Sequence, residues 1–109
     1  MDFAFVTDDK ARRYCERIVE AMRLLYDIDP AEGRELLNGH WRGMDLREGR
    51  EQPCLLYHET EREWAERLGN ATDYTPAGDA RRKAREAEAE RRIAEFRKLG
   101  QYEWLCWTW

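Results

Sequence analysis

At 109 residues, 42% hydrophobic and 39% charged, the chain is long enough for one modest core and too short for two independent ones. Its 19 Lys and Arg against 23 Asp and Glu leave a net charge of -4, which opposes tracking of a nucleic-acid backbone, and no run approaches the roughly 18 apolar residues of a membrane span. Cys15, Cys54 and Cys106 are odd in number and fit no disulfide framework, and the opening "MDFAFVTDDK" has neither a basic n-region nor a long apolar run, so the expectation is a single cytoplasmic domain over 1–109 that makes no use of a membrane.

The first element, "DFAFVT", puts Phe3 and Phe5 on one side and Ala4 and Val6 on the other, the alternation of a short strand. From Asp8, "DDKARRYCERIVEAMRLLYDI" sets Ala11, Tyr14, Cys15, Ile18, Val19, Met22, Leu25 and Tyr26 at the 3, 4 spacing of one apolar helical stripe, predicting a helix over about 8–27. Asp29 as N-cap and Pro30 at the first helical position start a second helix, with Leu36, Leu37 and Trp41 on its buried side and Asn38-Gly39 or Gly43 as its stop. "RGMDLREGREQP" reads as a polar connector.

Cys54 to Tyr57 is a short apolar run of strand type, closed by His58 and Glu59. Thr60 with Glu63 forms a capping-box pattern that starts a third helix at Glu61, whose inward face is Trp64, Ala65 and Leu68 and whose stop is Gly69-Asn70. "NATDYTPAGD" has linker composition. Asp79 to Lys98 then carries eight basic and five acidic side chains, against 11 basic and 17 acidic in residues 1–77. Ala, Arg and Glu at this density specify a helix. Its apolar content is thin until Ile93, Phe96 and Leu99, which predicts a charged helix over 79–99 able to project from the body.

The ending "QYEWLCWTW" holds Trp104, Trp107 and Trp109. Read as extended chain it is apolar on both sides, which predicts packing of part of the tail in the core, paired with "DFAFVT" or "CLLYH", and makes the three Trp candidate binding residues. The fold expectation is α+β, predominantly α: about four helices with two or three short strands at most.

The residues able to carry chemistry gather mid-chain as His40, Asp45, His58 and Glu59. Imidazole and carboxylate ligands suit zinc, manganese or iron. Their spacing matches no metal motif, and a His-Glu without a second His four residues on is not a metallopeptidase helix, so no metal and no cofactor is expected. The plainer reading makes His58 and Glu59 the lead-in to the capping box, Trp41 and Trp64 core residues, and Asp45 a turn former or indole acceptor. The chain contains no Ser, and Gly39 and Gly43 follow no phosphate-loop pattern. Glutamates interspersed among Arg81, Arg82, Lys83, Arg85, Arg91 and Arg92 argue against nucleic acid and for a solvated face or a self-association arm.

The stretch "LLNGHWRGMDL…LLYHETEREWAERL" resembles a group of short bacterial proteins, common in high-GC Gram-positive genomes, that share Leu-Asn-x-x-Trp, then a hydrophobic-His-Glu run and Trp-Ala. The resemblance covers about residues 36–68 and rests on Leu37, Asn38, Trp41, Asp45, His58, Glu59, Trp64 and Ala65. It implies a bacterial or phage source and transfers no catalytic role. The functional expectation is an interaction protein of the inhibitor, immunity or adaptor type whose partner is another protein or itself. Two alternatives stand beside it: a small enzyme or metal protein using the His40 and His58 region, and a nucleic-acid accessory factor using the basic helix.

Overall fold

The computed structural model describes residues 3–47, 59–70 and 75–106. Five helices form among them: α1 (Asp9–Tyr26), α2 (Pro30–Trp41), α3 (Glu61–Gly69), α4 (Pro76–Leu99) and α5 (Glu103–Cys106). The architecture is mostly helical, as the apolar spacing requires.

Helix α1 is the centre of the structure. The Asp8 carboxylate accepts from Ala11 N at 2.8 Å and closes its first turn. Its stripe of Ala11, Cys15, Ile18, Val19, Met22 and Leu25 is buried against α2, α3 and α4. At its far end Asp27 adopts a left-handed conformation (φ 56°), a place Asp tolerates better than most non-glycine residues. Its carboxylate meets both Arg92 Nη atoms of α4 at 2.9 Å. Helix α2 begins with Pro30 after Asp29 and approaches α1 closely at Gly33, where a Cβ would lie 3.3 Å from Val19 Cγ1 and from Met22 Sδ.

Both halves of the Thr60–Glu63 capping box form: Thr60 Oγ1 accepts from Glu63 N at 3.1 Å, and Glu63 Oε1 accepts from Thr60 N at 3.2 Å. Trp64 and Ala65 of α3 are buried. Helix α4 starts three residues before the expected Asp79, because Thr75 caps it and Pro76 fills the first position. It lies along α1, held by the Tyr26–Glu86 and Asp27–Arg92 contacts and by Asn70 Nδ2 donating to the Arg82 carbonyl at 3.1 Å. The helix ends in a Schellman arrangement, with left-handed Gly100, Gly100 N donating to Arg97 O and Gln101 N to Phe96 O.

The expected short strands are not found among the described residues, and Cys54 to Tyr57 lies outside them. Phe3 to Val6 bends at Ala4 and Phe5, with Phe3 and Phe5 stacked on one side at 5.0 Å and Ala4 and Val6 exposed. Its partner is the chain after α2: Gly43 N donates to Ala4 O, Val6 N to Met44 O and Leu46 N to Val6 O. That yields one parallel bridge, Val6 to Asp45, and no strand. The pairing has no room to grow, since α1 and its cap begin at Asp8 and α2 has only just ended.

The tail also departs from the extended reading. Left-handed Gly100 and Tyr102 (φ 52°) turn the chain back, and Leu105 N and Cys106 N both donate to Tyr102 O in a single helical turn. Consecutive residues of a strand point to opposite sides. A helical turn instead lets neighbouring Leu105 and Cys106 both be buried, as they are.

Candidate interaction surface

The segment Leu37 to Trp41 clamps the N-terminal extension to the core. Leu37 and Trp41 are buried, and between them Asn38 Oδ1 accepts from Ala4 N at 2.7 Å. Trp41 then meets Phe5 at 5.7 Å and Trp64 at 4.9 Å, both edge-to-face. His40 is exposed and covers this pair, its ring 5.2 Å from Trp41 and 5.6 Å from Trp64. Arg67 lies over the other side of Trp64 at 5.4 Å.

Asp45 is a turn former. Its Oδ1 accepts from Arg47 N at 3.0 Å while its carboxylate holds the Arg47 guanidinium, with the shortest contact 2.7 Å. Glu59 carries two tertiary links: its carbonyl accepts from the Tyr14 hydroxyl, and its Oε1 pairs with Arg67. Its Oε2 is buried and meets no donor among the described residues. His40, Asp45 and Glu59 therefore occupy separate positions, each engaged by different neighbours. His58, Trp107 and Trp109 lie outside the described residues. Among the described residues no three His, Cys, Asp or Glu gather into a metal-holding group.

Beside Glu59 is a notch of about 250 Å³ lined by Glu59, Glu63, Glu66, Arg67 and Arg82. Glu66 is pushed above the ordinary carboxylate range by burial first and by neighbouring Glu86 second. Glu86 Oε1 also accepts from the Tyr26 hydroxyl at 2.9 Å, and burial pushes that phenol upward as well. Tyr26, Glu66 and Glu86 come from three helices, the first and last 60 positions apart. No local spacing could have joined them.

The C-terminal turn presents a different chemistry. Leu99 is 69% exposed and Tyr102 36%, the two separated only by Gly100 and Gln101. Phe96 packs edge-on against Tyr102 at 5.0 Å, and half-buried Trp104 lies beneath Arg17 of α1 at 5.6 Å. Behind this rim Leu105 and Cys106 enter the core, Arg97 Nη2 donates to the Cys106 carbonyl at 2.9 Å, and the Cys106 thiol lies 3.8 Å from the Ile93 carbonyl. Trp104, the binding candidate offered by the sequence, is half-buried here, and the exposed apolar side chains beside it are Leu99 and Tyr102. The legible signal was the Leu-Gly pair at the helix end, which places Leu99 at the last turn, where a cap replaces packing.

The basic side chains of α4 are largely spent within the chain: Arg82 and Lys83 on Asp79, Arg91 on Glu88 and Glu95, Arg92 on Asp27 and Glu88. No described helix is long and apolar enough to cross a membrane. Comparison with protein-family models, with characterised proteins and with solved structures finds no match.

Proposed function

We propose that this protein is a small interaction module of the inhibitor, immunity or adaptor type, which acts by covering a partner protein's surface with its C-terminal turn. The observation that carries this reading is Tyr102: an exposed aromatic residue held in a left-handed conformation. For an L-residue that conformation costs about 1–2 kcal/mol, and Gly or Asn would adopt it more easily. The fold itself uses this turn, which packs the ring on Phe96 and sends Leu105 and Cys106 into the core, and it thereby holds an aromatic side chain in one fixed place at the surface. Half-buried Trp104, with Arg17 over its ring, adds aromatic and guanidinium groups of the kind that dominate interface hot spots, and exposed Leu99 adds apolar area. The bacterial or phage source implied by residues 36–68 suits such a module.

The test is a photo-crosslinking amino acid placed at Leu99 and, as control, at exposed Ala4, in cells of the source organism. One discrete protein adduct at position 99, absent at position 4 and lost when Tyr102→Gly is added, supports the reading. Equal labelling at both positions, or none at 99, overturns it.

One observation favours a second reading, a small enzyme: the notch gathers the carboxylates Glu59, Glu63 and Glu66 with Arg67 and Arg82, and Glu66 is raised by burial and by neighbouring Glu86. It ranks below the interaction reading because no described His, Cys, Thr or Tyr side chain joins these carboxylates in the notch lining. Nucleic-acid binding ranks third, since the arginines of α4 already face carboxylates of the same chain.

A further inference from the structure

Helix α4 is apolar on two opposite sides. Its inner side, Gly78, Ala89 and Ile93, is buried. Its outer side carries Ala77, Ala80, Ala84, Ala87 and Ala94, every one exposed. At about 100° per residue the two sides are roughly 180° apart. The outer residues recur at 3, 4, 3 and then 7, the spacing of a heptad seam in which Arg91 takes the one remaining position. A surface helix ordinarily turns a charged side to water.

The charges bordering this seam are not random. Arg81 and Glu88 flank it on one side, Lys83 and Glu90 on the other. In an antiparallel pair of identical helices each border meets its own copy. With Ala84 opposite Ala87 of the second copy, and Ala77 opposite Ala94, Lys83 faces Glu90 and Arg81 faces Glu88, each twice by symmetry. Every bordering contact in that register is between opposite charges. Sliding one copy by a heptad toward the C-terminal ends brings Glu90 onto Glu90 and Glu88 onto Glu88. A parallel pair sets Lys83 against Glu88 but Glu90 against Glu95. Charge complementarity therefore selects one occupant, one direction and one register.

We propose that the outer side of α4 is a self-association surface on which α4 of a second copy packs antiparallel over residues 77–94, about 26 Å of helix at 1.5 Å per residue. Alanine lets the two backbones approach closely and leaves the bordering pairs to set orientation. The pairs that Lys83, Glu88 and Glu90 make within the chain leave room for a second contact across the seam. Lys83–Asp79 and Glu88–Arg91 are pairs within one helix, and Glu90 is 62% exposed beside Arg62. A carboxylate can accept from more than one donor at once. This surface lies on a different side of the helix from the Leu99–Tyr102 turn, so the two proposals stand or fall separately.

Sedimentation velocity of the full chain in low salt tests it. The wild type forms a concentration-dependent dimer that weakens as salt rises. Lys83→Glu turns two attractive pairs into repulsive ones and raises the dimer Kd about tenfold. Lys83→Glu with Glu90→Lys restores it. Circular dichroism confirms that each variant keeps its helices. A wild-type monomer up to about 1 mM, well above any specific association of this kind, overturns the proposal. So does a dimer indifferent to Lys83→Glu, or one broken by Leu99→Asp alone, which would put the contact at the C-terminal turn.

Discussion

Leu105→Ala tests whether the aromatic tail belongs to the fold. Leu105 is fully buried against the end of α4. The change removes three carbon groups, worth about 0.8 kcal/mol each or roughly 2.4 kcal/mol in transfer terms. A cavity left in a site this close to the chain's end can bring the loss toward about 5 kcal/mol if the site does not collapse. Against a total stability of about 5–15 kcal/mol, that is a large fraction. The same substitution six positions earlier supplies the control, because Leu99 is 69% exposed and surface changes of this kind fall within about 0.5 kcal/mol. Urea unfolding followed by circular dichroism measures both on one scale. Leu105→Ala should lower the midpoint strongly with an unchanged slope, and Leu99→Ala should leave it in place. Equal, small effects for both would refute the core assignment of the tail, and α5 would then be an ornament on α4 rather than its cover.

Two further outcomes follow from the capping and the carboxyl cluster. Thr60→Ala removes the hydroxyl that caps α3 and leaves the Glu63 backbone N–H without its acceptor, while the residue-60 N–H can still donate to the Glu63 carboxylate, so thermal unfolding should show a loss of about 1 kcal/mol, and Thr60→Ser should recover most of it. Glu66 binds its proton more tightly in the folded state than its ordinary value of 4.5, so its effect on stability is harmless below that value and grows unfavourable as pH rises through the window above it. Glu66→Gln should therefore raise the unfolding midpoint at neutral pH and change it little near pH 4; a gain that is the same at both would show that charge is not its cause.

Much of this protein was already determined by the sequence, and the reason in each case is local. The stripe of α1, the Asp29-Pro30 start of α2, and the Thr60–Glu63 box of α3 are short-range devices whose partners lie within a turn or two, and they appear where their spacing places them. Trp41 and Trp64 are buried because indole area leaves them little alternative. The alternation of Phe3 and Phe5 was legible too, but what it pairs with was not: a bridge to Asp45 depends on where α2 releases the chain. For the tail, apolar residues on consecutive positions satisfy a strand buried on both faces and a helical turn equally well. Only the left-handed pair Gly100 and Tyr102, closing onto Phe96, decided for the turn. Tyr26, Glu66 and Glu86 share a site because α1, α3 and α4 meet there, and the side of α4 that faces water was settled by which of its two apolar sides α1 could cover. Periodicity states that a helix has a side to bury; packing alone states against what.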